Sequence, residues 1–392
     1  MIEAVDSRAR GLRDRRREDV VDMLAVVRRL DWLLILAMLA LVGYGLWAID
    51  GITRSGTGGS ALTHQAGYAV IGLVAFVVTT FVDPGLYRRN YRPLYGLLVG
   101  VLGVVLLASA ATHGAKRWIG TGGVAFQPSE FGVLALALCL AGYVSVHARR
   151  LNEFPVAIRL IAFAAVPTLL VFVQPDIGTA LVYVAVLAAV VFVSGIRWAY
   201  LAVIGGVALV GVLAVLWILP AAGINVLKPY QAARLTGFTH PDSDPRGATY
   251  NVDQSIIAVG AGGLRGQGVK GATQTTLGYT PASDTDFAFA SLAEEHGFFG
   301  AAILLLLYLF VVWRGLKIVA GAGDLFGAVA AAGIVFAFLF QVFVNVGMTM
   351  GVAPITGIPL PFVSVGGSSM VTMLAAFGVL QAIHARGRRR RL

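Results

Sequence analysis

The sequence predicts an all-α polytopic membrane protein with ten transmembrane helices and a large extracellular loop between helices 7 and 8. Three observations lead to this fold class. Of the 392 residues, 58% are hydrophobic and only 13% are charged. Apolar stretches long enough to cross a bilayer recur along the chain. Basic residues, in contrast, concentrate at the two ends of the chain and in short connecting segments.

The ten predicted spans follow the apolar stretches in order. They lie near residues 32–49, 66–82, 94–111, 128–146, 156–173, 177–195, 199–219, 297–314, 325–347 and 366–384. Their lengths are close to the roughly 20 residues that a membrane-spanning helix needs. We expect a basic N-terminal segment at 1–30, a ten-helix membrane domain at 31–385 that contains the large loop at 221–296, and a basic tail at 386–392.

Basic residues in the connecting segments predict the orientation of the spans. Arg88 and Arg89 follow the second span, and Arg149 and Arg150 follow the fourth. An even number of spans puts these segments on the same side as both termini, and the positive-inside rule makes that side cytoplasmic. We therefore expect a multi-pass protein of the cytoplasmic membrane with both termini cytoplasmic and the large loop outside.

The formal net charge of +10 comes largely from the same basic clusters. Clusters of this kind beside membrane spans are typical of topology signals and of contacts with anionic lipids. The sequence therefore predicts membrane lipids as partners and no nucleic acid.

Polar residues gather at the outer ends of the predicted spans. Glu130 follows Pro128 in the first turn of the fourth span, where a glutamate complements the helix dipole, yet it begins an otherwise apolar run. Asp176 stands just before the sixth span, where a helix N-cap explains it equally well. Both carboxylates are therefore candidates for a buried polar site as well as for capping.

Asp286 is the leading candidate for a catalytic residue. It lies near the end of the polar loop, and carboxylates close to lipid are costly and often functional. Capping is the alternative, since Ser283 or Asp284 could begin a helix that continues into the eighth span, with Asp286 in its first turn. In such a helix Glu294 lies nearer to the Asp286 face than Glu295 does, so Glu294 is the better candidate for a second carboxylate.

Eight short motifs, taken in order, resemble the SEDS family of shape, elongation, division and sporulation proteins. They are AKRW at 115–118, FQPSE at 126–130, QPDIGT at 174–179, DSDP at 242–245, GAGGLRG at 260–266, TDF at 285–287, AEE at 293–295 and PLPFVSVGGSS at 359–369. The resemblance extends over the whole membrane region. The segment GATQ at 271–274, upstream of YTP at 279–281, is more similar to the RodA branch than to the FtsW branch.

This resemblance implies a peptidoglycan glycosyltransferase that polymerises lipid II at the outer face of the membrane. Asp286 would be the general base, undecaprenyl pyrophosphate the leaving group, and lipid II both donor and acceptor. The implied protein partner is a class B penicillin-binding protein. The expected substrate-binding residues are Lys116, Arg117, Gln127, Ser129, Glu130, Gln174, Asp176, Arg234, Lys270, Gln274, Thr285 and Glu294.

The leaving diphosphate requires positive charge, because negative charge develops on it in the transition state. The candidate cations are Lys116, Arg117, Arg234 and Lys270. No dedicated metal site or cofactor is expected, and a divalent cation, Mg or Mn, would be shared with the diphosphate of the substrate.

Two positions depart from the family pattern. Val133 stands where the family usually has a lysine that pairs with the catalytic aspartate, and Asp284 stands where a histidine is usual. Lys116 and Arg117 are the candidate replacements for the missing lysine. The cationic partner of Asp286 is therefore the open point of the predicted site.

Two other functional classes remain open. A lipid II flippase would also place polar residues and broken spans within the membrane, although the polar residues here gather toward one face and not at the midplane. A non-catalytic scaffold for a penicillin-binding protein would tolerate the loss of Asp286.

Overall fold

The computed structural model describes residues 26–55, 59–111, 126–214, 248–279 and 282–387, together with Leu24 and Ile218. The helices in chain order are α1 (Trp32–Ser55), α2 (Gly59–Phe81), α3 (Pro84–Arg89), α4 (Tyr91–Ala111), α5 (Pro128–Val146), α6 (Phe154–Val173), α7 (Ile177–Val193), α8 (Trp198–Leu213), α9 (Ala248–Ala261), α10 (Thr273–Thr276), α11 (Ala288–Gly321), α12 (Leu325–Thr349) and α13 (Gly367–Gly387). A short 3-10 turn at Ala148–Arg150 lies between α5 and α6.

A helix lies at each of the predicted spans, and the class of polytopic membrane protein is confirmed. In the described part of the chain, 8 helices are long and apolar enough to cross a membrane, namely α1, α2, α4, α5, α6, α11, α12 and α13. The helices at the sixth and seventh predicted spans, α7 and α8, are shorter, with 17 and 16 residues. Within the predicted large loop, α9 and α10 are helical, and residues 219–247 lie outside the described part.

The centre of the bundle is formed by α5, α12 and α13. In the most apolar stretch of α13, 89% of the residues are buried, against 22% in α2. Small residues permit this burial, because they let helix backbones approach closely. At Gly378 of α13 a Cβ atom would collide with the Phe76 carbonyl of α2, and nearby Thr79 Oγ1 donates a hydrogen bond of 2.9 Å to the Ala375 carbonyl.

The helix α11 begins nine residues before the predicted eighth span and contains a break at the predicted start. Gly297 has a φ of 66°, which interrupts the helical hydrogen bonds there. The glycine-rich segment after α9 supplies replacement partners. Gln267 N donates to the Glu294 carbonyl at 2.9 Å, and Phe298 N donates to the Gly263 carbonyl at 2.8 Å. The break in α11 is therefore held by backbone hydrogen bonds from the predicted loop.

A buried ion pair ties α1, α11 and α13 together at the end of the bundle remote from Gly297. Arg314 Nε donates to Asp31 Oδ2 at 3.1 Å, and the Asp31 side chain is only 2% exposed. Gln381 of α13 binds the backbone of Asp31 in both directions, accepting from its N–H at 2.9 Å and donating to its carbonyl at 3.1 Å. The Asp31 Oδ2 atom and the Asp31 backbone thus have partners on two other helices, and Oδ1 accepts the Leu34 N–H of α1 at 3.1 Å.

We predict that Arg314→Gln destabilises the protein by about 3 kcal/mol, because it leaves a buried carboxylate without its cation. The measurement is the unfolding transition of the detergent-solubilised protein. The matched control is Arg150→Gln, which removes an exposed pair with Glu153 and should leave the unfolding transition almost unchanged. Equal shifts for the two variants would contradict a structural role for the Asp31–Arg314 pair.

Candidate active site

The motif at the start of α5 forms one wall of the candidate site. Pro128 is in the first turn, where its missing N–H costs nothing, and Glu130 follows in the same turn, as predicted. The Gln127 backbone N–H donates to Ser368 Oγ at 2.8 Å, which joins the start of α5 to the start of α13. Gln127, Ser129 and Glu130 are all buried.

Asp176 joins α5 to α7. Its Oδ1 atom accepts the Thr179 backbone N–H at 3.3 Å, so the predicted N-cap of the sixth span is confirmed. Its Oδ2 atom accepts Gln127 Nε2 at 2.8 Å and Ser129 Oγ at 2.9 Å. The carboxylate therefore caps one helix and binds the polar start of another.

Asp286 lies in a turn at residues 282–287, and not in the first turn of a helix. The N-cap residue of α11 is Phe287, so the alternative in which Ser283 or Asp284 begins this helix is wrong. Helical phasing from Asp286 to Glu294 consequently does not apply, because the two residues are not on one continuous helix. Backbone carbonyl groups in this turn are instead turned toward the rest of the bundle.

Three successive carbonyl groups of this turn accept hydrogen bonds from α12 and from the loop at 350–366, here called the α12–α13 loop. Val365 N donates to the Asp284 carbonyl at 2.8 Å. Ser364 Oγ donates to the Thr285 carbonyl, and Asn345 Nδ2 donates to the Asp286 carbonyl at 3.0 Å. These contacts fix the backbone that carries the Asp286 side chain.

The α12–α13 loop is itself held on both sides. Asn345 Nδ2 also donates to the Ile358 carbonyl at 2.8 Å. Gln65 of α2 donates to the Ser364 carbonyl and accepts the Gly366 N–H, both at 3.1 Å. Gly178 at the start of α7 lets the loop come close, since a Cβ atom there would meet the Thr356 carbonyl at 2.7 Å. From Ala353 onward the loop is therefore a largely buried part of the site and not a surface connection.

These elements enclose a cavity of about 240 Å³. Its described lining consists of Gln127, Glu130, Asp176, Thr179, Thr285, Asp286, Gly357, Pro359, Val365, Gly366 and Ser369. The fold thus brings three carboxylates from separate motifs, Glu130, Asp176 and Asp286, to one space. Such a cavity can accept a proton from a substrate hydroxyl and can hold polar parts of a sugar by hydrogen bonds.

The charges around this cavity are unbalanced in the described part of the chain. None of its described lining residues is a lysine or an arginine. Val133, at the position of the family lysine, is 3% exposed and packs in the apolar core. Within the described residues, Glu130 Oε2 is buried and has no hydrogen-bond partner. The cavity therefore has carboxylate acceptors available but lacks a described cation to balance them.

Of the four predicted cations, one lies in the described part of the chain. Lys116, Arg117 and Arg234 lie outside the described residues, and Lys270 is exposed and is not part of the cavity lining. Among the described residues, no three histidine, cysteine, aspartate or glutamate side chains are arranged to hold a metal ion.

Three other predicted binding residues have partners away from the cavity. The Glu294 carboxylate accepts the backbone N–H groups of Gln274 and Thr275, at 2.8 and 3.0 Å, and so holds the start of α10. Gln274 and Glu294 thus lie in contact at the start of α10, and neither belongs to the described lining of the cavity. Gln174 Nε2 donates to the Leu102 carbonyl of α4 at 2.6 Å.

Several residues that support the site were not predicted as functional. Gln65, Ser364 and Ser368 bind the backbone of the site, and Gly357, Pro359, Val365, Gly366 and Ser369 complete the lining. An amide at the edge of an apolar span was the available signal for Gln65. Asn345 of α12 also supports the site, because its side-chain amide donates to the turn and to the loop.

Known proteins and solved structures resemble this chain over most of its length. Peptidoglycan glycosyltransferase MrdB of Escherichia coli (strain K12) is 39% identical over 357 residues, which cover 91% of this chain and 93% of that protein. Stage V sporulation protein E of Bacillus subtilis (strain 168) is 37% identical over 322 residues, which cover 81% of this chain and 85% of that protein.

Two solved structures have the same arrangement of helices. A chain in a structure of a peptidoglycan synthase complex is 30% identical, with a TM-score of 0.75, and the match covers 92% of this chain and 98% of that chain. Rod shape determining protein RodA of Thermus thermophilus is 26% identical, with a TM-score of 0.67, and the match covers 93% and 98%. Residues 27–389 match the family described as cell cycle protein, FTSW_RODA_SPOVE, and the chain therefore belongs to this family.

Proposed function

We propose that this protein is a peptidoglycan glycosyltransferase that polymerises lipid II into glycan strands at the outer face of the cytoplasmic membrane. The single observation that carries the proposal is the cavity in which Asp286, on a turn held by three hydrogen bonds, faces Glu130 and Asp176. The glycosyltransferase activity of relatives such as MrdB supports it.

In the proposed reaction Asp286 accepts the proton of the GlcNAc 4-hydroxyl of one lipid II molecule. That oxygen forms a bond to the anomeric carbon of a second lipid II, and the bond from this carbon to the diphosphate oxygen breaks. Undecaprenyl pyrophosphate leaves, and the configuration at the anomeric carbon inverts. Asp286 acts as a general base because its carboxylate lines the cavity and its backbone is held in place.

The other carboxylates would bind and orient the substrate. Asp176 is committed to three hydrogen bonds from Gln127, Ser129 and Thr179, so it stiffens the cavity wall. Glu130 has an oxygen with no described partner and is suited to accept a hydrogen bond from a sugar hydroxyl. Thr285 lines the cavity beside Asp286.

Positive charge for the leaving diphosphate would come from Lys116, Arg117, Arg234 and Lys270, aided by a divalent cation, Mg or Mn, bound jointly with the substrate. The polyprenyl tails would lie in grooves between the membrane helices. A class B penicillin-binding protein is the proposed partner, because this protein resembles a chain that belongs to a peptidoglycan synthase complex.

We further propose ten spans with both termini cytoplasmic, which places Asp286 outside. The positions of α7 and α8 between longer apolar helices support the count. The orientation is supported by the arginines at 88, 89, 149 and 150. They lie in the described connections between α2 and α4 and between α5 and α6, and basic residues in short connections favour the cytoplasmic side.

We predict that Asp286→Asn lowers the rate of lipid II polymerisation by about 10²- to 10⁴-fold, the usual contribution of a general base. The assay measures glycan strands formed from lipid II in detergent, with and without a class B penicillin-binding protein. The control is Asp253→Asn, which alters an exposed carboxylate on α9 and should retain wild-type activity. Full activity of Asp286→Asn would rule out the general-base role.

The same assay separates the alternative functions. A flippase would move labelled lipid II across liposome membranes without forming polymer. A scaffold would support polymerisation by its partner whether or not Asp286 is present.

We predict that Asn345→Ala lowers kcat at least tenfold with little change in KM. The substitution leaves the Asp286 and Ile358 carbonyls without their donor, a loss of roughly 1–3 kcal/mol that loosens the turn. The matched control is Gln341→Ala, which removes another buried amide one helical turn earlier on α12. If both variants lose stability and activity equally, Asn345 has only a structural role.

We predict that the thiol introduced by Asp253→Cys reacts with a membrane-impermeant maleimide added outside intact cells. The thiol introduced by Arg149→Cys should react only after the membrane is permeabilised. The native Cys139 is buried and should give little background. The reverse pattern of labelling would contradict the proposed orientation.

A further inference from the structure

A second cavity, of about 360 Å³, lies where three connections of the bundle meet. Its described lining consists of Asp83, Pro84, Gly85, Arg88, Arg89, Gly323, Asp324, Phe326, Gly327, Ile383, Arg386 and Gly387. These residues come from α3, from the α11–α12 turn with the start of α12, and from the last turns of α13. None of these described residues also lines the Asp286 cavity.

The two cavities lie at opposite ends of α13. Ser369 near the start of this helix lines the Asp286 cavity, and Arg386 near its end lines the second cavity. A rise of 1.5 Å per residue separates these positions by about 25 Å along the helix. With Asp286 outside, as proposed above, the second cavity faces the inner leaflet.

Three residues of the described lining are arginines, and each lies 3.7–3.9 Å from a carboxylate oxygen of a lining aspartate. Arg88 Nη1 is 3.7 Å from Asp324 Oδ2, Arg89 Nη2 is 3.9 Å from Asp83 Oδ2, and Arg386 Nε is 3.8 Å from Asp83 Oδ1. Contacts of this length attract electrostatically but are not hydrogen bonds. The Arg88 guanidinium donates no hydrogen bond to any described residue, although it has five N–H groups to donate.

The two aspartates have a separate structural explanation. Asp83 Oδ1 accepts the Gly85 N–H at 3.1 Å and caps α3, and Asp324 Oδ1 accepts the Gly327 N–H at 2.9 Å and caps α12. Because one cap carboxylate lies near two arginines and the other near one, the cavity retains an excess of positive charge. At 3.7 and 3.9 Å, these carboxylates attract Arg88 and Arg89 but accept no hydrogen bond from Arg88 or from Arg89.

The floor of the second cavity is apolar. Phe326 and Ile383 are 2% and 4% exposed, while Leu86, on the same short helix as Arg88, is 50% exposed. An apolar floor beneath cationic side chains matches the boundary of a phospholipid, where a phosphate meets the glycerol and acyl chains. Basic pockets between membrane helices on the cytoplasmic side are a recognised form of lipid headgroup site.

We propose that this second cavity binds the phosphate of an anionic phospholipid headgroup of the inner leaflet. Arg88 and Arg89 would donate to the phosphate oxygens, since the planar guanidinium group matches phosphate geometry. Arg386, which already donates to the Val82 and Phe81 carbonyls, would add charge and keep the wall in place.

The test measures binding of a phosphatidylglycerol with a fluorescent acyl chain to the delipidated protein in neutral detergent, by fluorescence anisotropy. Unlabelled phosphatidylglycerol should compete, and phosphatidylcholine with the same chains should not. Arg88→Gln should weaken binding roughly fivefold, the effect expected for one cation at a membrane surface. Arg150→Gln, an exposed arginine in the connection after α5, should leave binding unchanged.

A thermal unfolding curve shows whether Arg88→Gln is folded, and Arg88→Lys provides a second variant that keeps the charge and loses the planar group. Arg88→Lys should bind more tightly than Arg88→Gln and less tightly than wild type. An equal loss with Arg150→Gln, or equal competition by phosphatidylcholine, would overturn the proposal. Displacement of the lipid by excess inorganic phosphate would assign the cavity to a free anion instead. None of these outcomes depends on polymerase activity.

Discussion

The backbone at residues 284–286 is not helical, although the protein is largely embedded in lipid. The carbonyl groups of these residues must therefore have hydrogen-bond partners inside the bundle. Asn345, Ser364 and Val365 provide them. Those donors in turn depend on the buried α12–α13 loop, which Gln65 holds from the opposite side. The orientation of Asp286 thus rests on hydrogen bonds between four separate segments of the chain.

Two carboxylates of the site combine a structural role with a place in the cavity wall. Asp176 caps α7 with one oxygen and binds the start of α5 with the other, so the choice between capping and function was not exclusive. Glu130 lies in the first turn of α5 and also lines the cavity. Helix starts are suitable places for such residues, because their free N–H groups and dipole stabilise negative charge.

The central helix α13 connects two regions of opposite charge. Its start meets a cavity lined by carboxylates, and its end meets a cavity surrounded by arginines. Because Val133 is packed in the core, the acidic cavity has no described cation of its own. An acidic site of this kind favours a substrate that arrives with its counterions, which agrees with the proposed sharing of a divalent cation with the diphosphate.

Hydrophobicity and short-range chemistry were enough to predict the membrane class, a helix at each of the predicted spans, the start of α5 at Pro128 and capping as one of two roles for Asp176. Each of these depends on residues within a few positions of one another, which a sequence shows directly. The motif resemblance also singled out Gln127, Glu130, Asp176, Thr285 and Asp286, which share one cavity.

The turn at Asp286 was decided only by the tertiary structure. Local pattern left open a helix that begins at Ser283 or Asp284, but donors 59 and 79 residues further along the chain hold the carbonyls of Asp286 and Thr285 outside any helix. Glu294 likewise serves α10, although local phasing directed it toward Asp286. Hydrogen bonds between distant segments outweigh local helix preference here. Leaving buried backbone groups without partners costs more free energy than shortening the helix does.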